Sequence, residues 1–340
     1  MGNILFICGS LNQTTQMHAI AQSMMKEHAC YLLHITPMGW RVCIRLARLN
    51  FAVLGGRHKR ETMEYLARHN LRIDPRGEAR SYDLVVTCSD LIIQNNIRNK
   101  RVVLVQEGIT EPESLMFHLV KWLKLPRYLA NTSTNGLSNE YDIFCVASEG
   151  YADLFISKGV HEGKIAVTGI PNFDNLKSAQ NNSFPFHGYV LAATSPRETF
   201  RWDDRPAFIR KCNQIAGGRK LIFKLHPLED TPRAIREIYK YAPGALVFTH
   251  GSVDQMIAKA EVVITQQSTC TFVAIALGKE VHTNLNADQL KQLMPIQNDG
   301  ISAQHIAQTC ERVLHTSLDV LKAKRRQPQT RLKRGRADIS

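Results

Sequence analysis

Two stretches of this chain carry residue types suited to holding an anion. Lys220-Leu-Ile-Phe-Lys-Leu225 is an apolar run that feeds the pair His226-Pro227, and Glu261-Val-Val-Ile264 is a second run that feeds Thr265-Gln-Gln-Ser268-Thr269. Short apolar runs bounded by polar turns read as buried strands. In an open parallel sheet the loops leaving the strand carboxyl ends form the ligand-binding edge. Ser268 and Thr269 would place hydroxyls and free backbone N–H groups at a helix start, which suits a phosphate. An ordinary N-cap uses the same geometry, so the two uses are compatible. His226 would supply an imidazole held by the stiff proline after it, with a simple turn as its plainer role. Lys224 adds charge there if strand alternation turns it toward the ligand. Gln266 and Gln267 offer amides to a base or a sugar hydroxyl. Thr194, Ser195 and Arg197 follow another apolar run near 188–193 and suit either a phosphate contact or a solvated loop.

The first half of the chain offers a second set. The strand 3–8 ends in Gly9-Ser10-Leu11-Asn12 and leads into a helical pattern. Gly9 would let a ligand approach the backbone closely, with Ser10 and Asn12 beside it. The spacing is not G-x-G-x-x-G, so the dinucleotide fingerprint is absent. Glu107, in Gln106-Glu107-Gly108 after the strand 102–105, is placed to take a proton from a hydroxyl; a structural turn carboxylate is the alternative. His18, further along the first helix, is a weaker catalytic candidate against a packed histidine. Asp203-Asp204 is the nearest approach to a metal pair, but it precedes Pro206 and reads as a helix start. No metal and no cofactor are therefore expected.

The elements that must position these residues alternate along the chain. Strands are expected at 3–8, 30–34, 84–88, 102–105, 143–146 and 164–168, and again near 188–193, 219–225, 244–249, 261–265 and 279–284. Helices fall between them, including 60–72, 150–159, 205–216, 231–241, 252–260, 269–278 and 302–323. Gly169–Asn182, with Pro171 and four asparagines, reads as a linker. Strands and helices alternating on both sides of a linker predict an α/β protein of two Rossmann-like parallel sheets facing a central cleft. The expected domains are 1–175 for an acceptor, 187–322 for a nucleotide donor, and 323–340 as a basic, disordered tail.

At 340 residues the chain can bury two cores, and 44% apolar with 21% charged content is ordinary for a globular protein. Its eight cysteines stand singly with no C-x-x-C, which predicts free thiols in a reducing compartment. Met1–Cys8 reads as a buried strand rather than a leader, and no apolar run approaches membrane-spanning length. A cytoplasmic location follows as the expectation. Net charge is +13, with eight lysines and arginines between Lys322 and Arg336. No nucleic-acid motif accompanies them, so nucleic acid is not the expected partner. Segment 113–130 mixes Leu115, Met116, Leu119 and Trp122 with Lys121, Lys124 and Arg127, which fits core packing or contact with an anionic membrane surface. Trp40–Leu54 reads as a helix punctuated by arginines.

The order of these features resembles the GT-B glycosyltransferase architecture. It comprises a β-loop-α opening, Val167-Thr-Gly-Ile-Pro-Asn-Phe-Asp174, Lys224-Leu-His226-Pro227, and a Ser268-Thr269 helix start that runs to Ala276-Leu-Gly-Lys279. More narrowly, the chain is similar to bacterial sialyl- and Kdo-transferases of surface polysaccharides and to CDP-glycerol glycerophosphotransferases. Those families pair a His-Pro motif with a Ser-Ser or Ser-Thr motif around the donor phosphate. The resemblance implies that His226, Ser268 and Thr269 hold a donor phosphate, and that Glu107 is the base; Gln106-Glu107-Gly108 matches only the last two positions of the acidic-acidic-Gly motif. The implied function is transfer of a sugar or polyol phosphate from a cytidine- or uridine-activated donor to a glycan or lipid-linked acceptor, on the inner face of the membrane. UDP-N-acetylglucosamine 2-epimerases share the architecture. Their Asp-Ser-Gly-Gly and glutamate pair have no counterpart in Gln266-Gln-Ser-Thr-Cys-Thr271. A non-catalytic nucleotide-sugar-binding protein is the third reading.

Overall fold

The computed structural model describes residues 1–34, 56–94, 97–110, 113–195, 204–227, 229–266 and 268–325. Trp40–Leu54, Arg197, Asp203, Gln267 and the chain beyond 325 lie outside those residues. The chain divides into two compact units: Met1–Asp174 together with the chain from Pro295 on, and Asn175–Met294.

The first unit is built on a six-stranded sheet. Its strands are β1 (Asn3–Cys8), β2 (Ala29–His34), β3 (Leu84–Thr87), β4 (Arg101–Val105), β5 (Ile143–Val146) and β6 (Ile165–Val167). All pair in parallel, in the order β2-β1-β3-β4-β5-β6. Ile4 to Cys8 are buried without a break, as expected of a parallel strand covered on both faces. Helices α1 (Leu11–Met24), α2 (Gly56–Arg68), α3 (Leu115–Leu123) and α4 (Glu149–Lys158) belong to this unit. No described helix is long and apolar enough to cross a membrane.

The second unit has five parallel strands: β7 (Tyr189–Ala193), β8 (Leu221–Lys224), β9 (Leu246–Phe248), β10 (Ala260–Thr265) and β11 (Glu280–His282). Their order is β11-β10-β7-β8-β9. Helices α5 (Arg205–Ala216), α6 (Thr231–Tyr241), α7 (Val253–Lys259), α8 (Cys270–Ala276) and α9 (Ala287–Gln292) connect them. Two parallel α/β sheets are thus present, as the alternation predicts, and α5 and α6 fall on the expected residues.

Several boundaries differ from expectation, the helix expected over 60–72 lying instead at Gly56–Arg68. The helix expected over 302–323 is two helices, α10 (Ser302–His315) and α11 (Leu318–Arg325). The chain turns extended at Thr316, whose carbonyl accepts from the Arg101 guanidinium at 3.2 and 3.0 Å. Both helices belong to the first unit, whereas the sequence reading placed residues to 322 in the second. The reason is packing: α10 buries Ile306, Ala307, Cys310 and Val313 and lies on α1, β3 and β4. Arg325, expected in a solvated tail, instead grips buried Asp142 with two contacts of 2.7 Å.

The return of the chain is fixed by Asp174. Its buried carboxylate accepts from the N–H groups of Asn298 (2.8 Å) and Ser302 (2.6 Å) and so caps α10, which has no side-chain cap of its own. Gly169 lies close by at φ +70°, where a Cβ would run into Ser302 Oγ. Asp174→Ala leaves the Asn298 N–H and the first N–H of α10, that of Ser302, without their acceptor. It is expected to cost about 1–3 kcal/mol in urea unfolding; a loss within about 0.5 kcal/mol would be surface-like and would refute the capping role.

Helix α3 departs from an ordinary packed helix. Phe117 and Val120 are buried, but Leu115 is 84% exposed and Trp122 is 79% exposed, with Met116, Leu119 and Leu123 also outward.

Candidate functional site

In the second sheet the strand order reverses between β7 and β10, because β7 connects onward to β8 on one side while β10 lies on the other. Such a switch point opens a crevice at the carboxyl edge. The loops that leave this edge are Thr194-Ser195 after β7, Leu225-His226 after β8, Thr249–Ser252 after β9 and Gln266–Thr269 after β10. Thr265 of β10 and Lys224 of β8 are both in register with Ala193 of β7. Two strand spacings therefore separate the His226 and Ser268 turns, about 10 Å at their bases. At that spacing the strand ends do not bring the two turns into contact with each other.

The His226 turn is held from behind. His226 N–H donates to Thr194 Oγ1 (3.1 Å) and Glu229 Oε1 (2.9 Å), and Thr194 in turn donates its hydroxyl proton to Glu229. Glu229 also pairs with Arg205 at 2.6 Å, and Arg205 with Glu237 at 3.1 Å. Thr194 thus braces the turn and is not aimed outward as a ligand. Lys224 behaves similarly: buried, it donates from Nζ to the carbonyls of Leu225 (3.0 Å) and Thr249 (3.3 Å). Burial lowers its ammonium pKa, opposed by Cys270 and Glu229 nearby. A buried ammonium must find acceptors, and here backbone carbonyls supply them. Ser195 is buried at the end of the β7 loop.

On the other flank Ser268 Oγ accepts from Cys270 N–H at 3.3 Å, while Thr269 makes no capping bond. The Gln266 carbonyl accepts from Thr283 Oγ1 (2.8 Å) and Asn284 N–H (3.3 Å), tying this loop to the one after β11. A cavity of about 270 Å3 opens beside it, lined by Gln266, His282, Asn284, Phe208 and Lys211. His226 and Ser268 do not line that cavity. Asp204 caps α5 by accepting from Ala207 N–H at 3.0 Å, the helix start its position suggested.

The first unit presents a different constellation, near its own reversal between β1 and β3. Glu107, just beyond β4, is part-buried. Ser10 Oγ donates to its Oε1 at 3.0 Å and Gln13 Nε2 to its Oε2 at 2.6 Å. Burial pushes the Glu107 carboxyl above its usual range, and the two donors work against that shift. Ser10 also N-caps α1, accepting from Gln13 N–H. One turn on, buried Gln16 donates to the Gln106 carbonyl at 2.8 Å, while Gln106 binds Ala147 N–H and the Gly108 carbonyl. The carboxylate is therefore held from one side, by Ser10 and Gln13 at the start of α1, while Gln16 and Gln106 fix the backbone beside it.

The flanking candidates have other duties. The Gly9 carbonyl accepts from Thr62, and the Asn12 carbonyl from Asn172 at 3.0 Å. His18 sits about 140° around α1 from Gln13. Its Nδ1 meets Tyr65 OH at 3.0 Å, and its ring packs on Tyr65 and His69. Burial, reinforced by His69, holds it below the usual histidine value. It is a packed histidine of the α1–α2 contact, and Glu107's partners lie on a different face. Glu27, His28 and Glu311 bring three metal-capable side chains together. His28 is already spanned, however, accepting from Gly2 N–H at 3.1 Å and meeting Glu311 at 2.6 Å.

Sequence reasoning missed Gln13 and Gln16 as holders of the Glu107 loop, and Glu229 and Arg205 as the brace behind His226. The signal available was a helix start, Ser10-Leu-Asn-Gln13-Thr-Thr-Gln16, unusually rich in amides.

No family model and no curated protein matches the chain. Solved structures do. A UDP-N-acetylglucosamine 2-epimerase from Rickettsia bellii superposes with TM-score 0.57 at 11% identity, covering 95% of this chain and 98% of its own. The Neisseria meningitidis UDP-GlcNAc 2-epimerase bound to UDP-GlcNAc gives 0.56 at 12%, covering 91% and 100%. The wall teichoic acid polymerase TagF aligns at 0.45 and 12%, covering 94% and 82%, a likeness too low to argue from. At such identities the likeness carries the GT-B-type fold of two parallel-sheet α/β domains. It does not reach the narrower resemblance to sialyl- and Kdo-transferases.

Proposed function

We propose that this chain is an enzyme acting on a nucleotide-activated sugar, with the nucleotide held by the second unit and a general base, Glu107, supplied by the first. The observation that carries the reading is the Glu107 carboxylate: raised by burial, it is held by Ser10 and Gln13 at the carboxyl edge of a parallel sheet. A carboxylate of elevated pKa takes protons near neutrality better than a solvated one. In the second unit His226 and Ser268 with Thr269 flank the diphosphate, and the bracing by Thr194 and Glu229 keeps the His226 turn from yielding to it.

Two chemistries fit this arrangement. The fold likeness favours a 2-epimerase-like reaction, in which Glu107 would remove the proton at the carbon that inverts. The resemblance to cytidine-donor transferases favours group transfer, in which Glu107 would deprotonate an acceptor hydroxyl while His226, Ser268 and Thr269 stabilise the departing phosphate. The residues Gln266-Gln-Ser-Thr-Cys-Thr271 favour the second, since they lack the glycines and glutamates of the epimerase motif. The glycan or lipid-linked acceptor of that reading would be met at a membrane surface, where the outward Leu115 and Trp122 of α3 fit.

Thermal shift against CMP, CDP, UDP and GDP tests the shared part. One nucleotide should raise the melting temperature, and His226→Asn should remove most of that rise. No shift with any nucleotide would end the reading. Incubation with UDP-N-acetylglucosamine alone then separates the two chemistries, because an epimerase needs no acceptor.

A further inference from the structure

Helix α3 is apolar almost all round: of Leu115–Leu123 only His118 and Lys121 are polar. A helix with that pattern is normally buried or faces lipid, yet two of its residues suffice to attach it to the unit. Phe117 and Val120 pack on Ala130 and Leu137, leaving Leu115 and Trp122 in the open. The apolar surface continues past the helix through Leu125, Tyr128 and Leu129, all exposed. Scattered exposed apolar residues need no explanation, but a contiguous set around one helix marks an interaction surface.

Beneath this surface lies a cavity of about 560 Å3, within the range of small-molecule sites. Its lining combines apolar Leu91, Ile92 and Leu125 with cationic Arg98, Lys121 and Lys124, against one carboxylate, Glu140. The cations are crowded. Lys121 and Lys158 each hold their ammonium 5.7 Å from the Phe117 ring centroid, and Lys121 donates to the Lys158 carbonyl at 2.9 Å. Among the described residues, buried Lys158 donates to the Ser133 carbonyl alone, at 3.2 Å. Burial and the proximity of Lys121 lower its pKa, with Glu113 opposing. Arg127 is spoken for by Asp90 at 3.4 Å, but among the described residues Arg98 and Lys124 have no ion pair. Lys124 ends α3 in the left-handed region at φ 52°, an uncommon conformation for a lysine. An exposed apolar helix beside a cavity whose lining is apolar and predominantly cationic matches one kind of partner, an amphiphile with an anionic head.

We infer that the α3 surface seats on an anionic lipid bilayer and that the cavity beneath it takes the phosphate head of one bilayer lipid, with the first methylenes of its chain against Leu91, Ile92 and Leu125. The head would lie between Arg98, Lys121 and Lys124, and Leu115 and Trp122 would enter the interface. The site belongs wholly to the first unit. It stands whether the chain epimerises or transfers a sugar.

The test uses the full chain. Flotation with vesicles of phosphatidylcholine, and of phosphatidylcholine mixed with phosphatidylglycerol, should recover protein only with the anionic mixture. The double variant Leu115→Glu with Trp122→Glu changes exposed side chains and should keep the melting temperature while lowering vesicle binding about tenfold or more. The basic segment after α11 could also attract anionic vesicles, so recruitment that survives this variant overturns the docking claim. For the cavity, titration with monomeric dihexanoyl-phosphatidylglycerol should show saturable binding. Arg98→Glu with Lys124→Glu should weaken it about tenfold, and dihexanoyl-phosphatidylcholine should not bind. Equal competition by inorganic phosphate would identify a free-anion site and overturn the lipid assignment. A dimer that dissociates on Leu115→Glu with Trp122→Glu, without any vesicle binding, would show instead that a second copy covers the face.

Discussion

Glu107→Gln is expected to lower turnover by about 10^2 to 10^4-fold, the range over which a positioned general base contributes, while leaving the nucleotide-induced thermal shift unchanged. The change removes the proposed base without removing volume, and the loops proposed to hold the nucleotide belong to the other unit. The pH profile carries the sharper signature. A base works when deprotonated, so the acid limb of the rate should rise through the Glu107 pKa in the folded protein. Burial places that pKa above the ordinary carboxylate range, so the limb should sit at higher pH than a solvated glutamate would give. Ser10 and Gln13 donate to the charged form. Removing them by Ser10→Ala and Gln13→Leu disfavours the carboxylate and should move the limb higher still. Release of free nucleotide, or conversion of the sugar nucleotide, measures both effects. Retention of turnover within a few-fold in Glu107→Gln would dismiss it as the base.

Arg205→Met should cost the second unit about 3–5 kcal/mol, the usual penalty for orphaning a buried charge. Both partners in the closer contact are enclosed, with side chains 5% exposed for Arg205 and 2% for Glu229. Without the guanidinium, Glu229 keeps, among the described residues, His226 N–H and the Thr194 hydroxyl as partners. Removing the acid as well, in Arg205→Met with Glu229→Leu, should recover part of the loss, since an apolar pair of similar volume is often neutral. Recovery should be incomplete because His226 N–H then loses Glu229 as an acceptor and keeps Thr194. Urea unfolding of the three proteins reads this directly. A cost below about 1 kcal/mol for the single change would mean the pair is effectively solvated.

The alternation of apolar runs with helical patterns made both sheets legible, because a parallel strand covered on two faces shows as an unbroken run such as Ile4–Cys8. Glu107 was legible as a strand-end carboxylate before a glycine. What holds it was not, since Gln13 and Gln16 look like solvent-facing residues until β4, some ninety positions later, supplies their partners. Lys224 and Thr194 illustrate the opposite error. Their types suit a phosphate, but both are turned to neighbouring backbone and to Glu229, contacts that no local pattern encodes. His18 was separable from Glu107's partners only by its angular position on α1 and by its packing on Tyr65 of α2 and His69 just beyond that helix. The assignment of α10 failed for a related reason: an amphipathic period shows that a helix has a buried face, and says nothing of which sheet will bury it.

The path of the chain has a bearing on biosynthesis. Residues 175–294 emerge from the ribosome as one uninterrupted block that contains every strand of its sheet. That block separates the six strands of the first sheet from the helices that complete their unit, and the α1 flank stays bare until α10 has been translated and Asp174 can receive it. Domains usually complete in the order in which they are made. Here the part that starts first finishes last, and the exposed flank of α1 must be kept from other apolar surfaces in the interval.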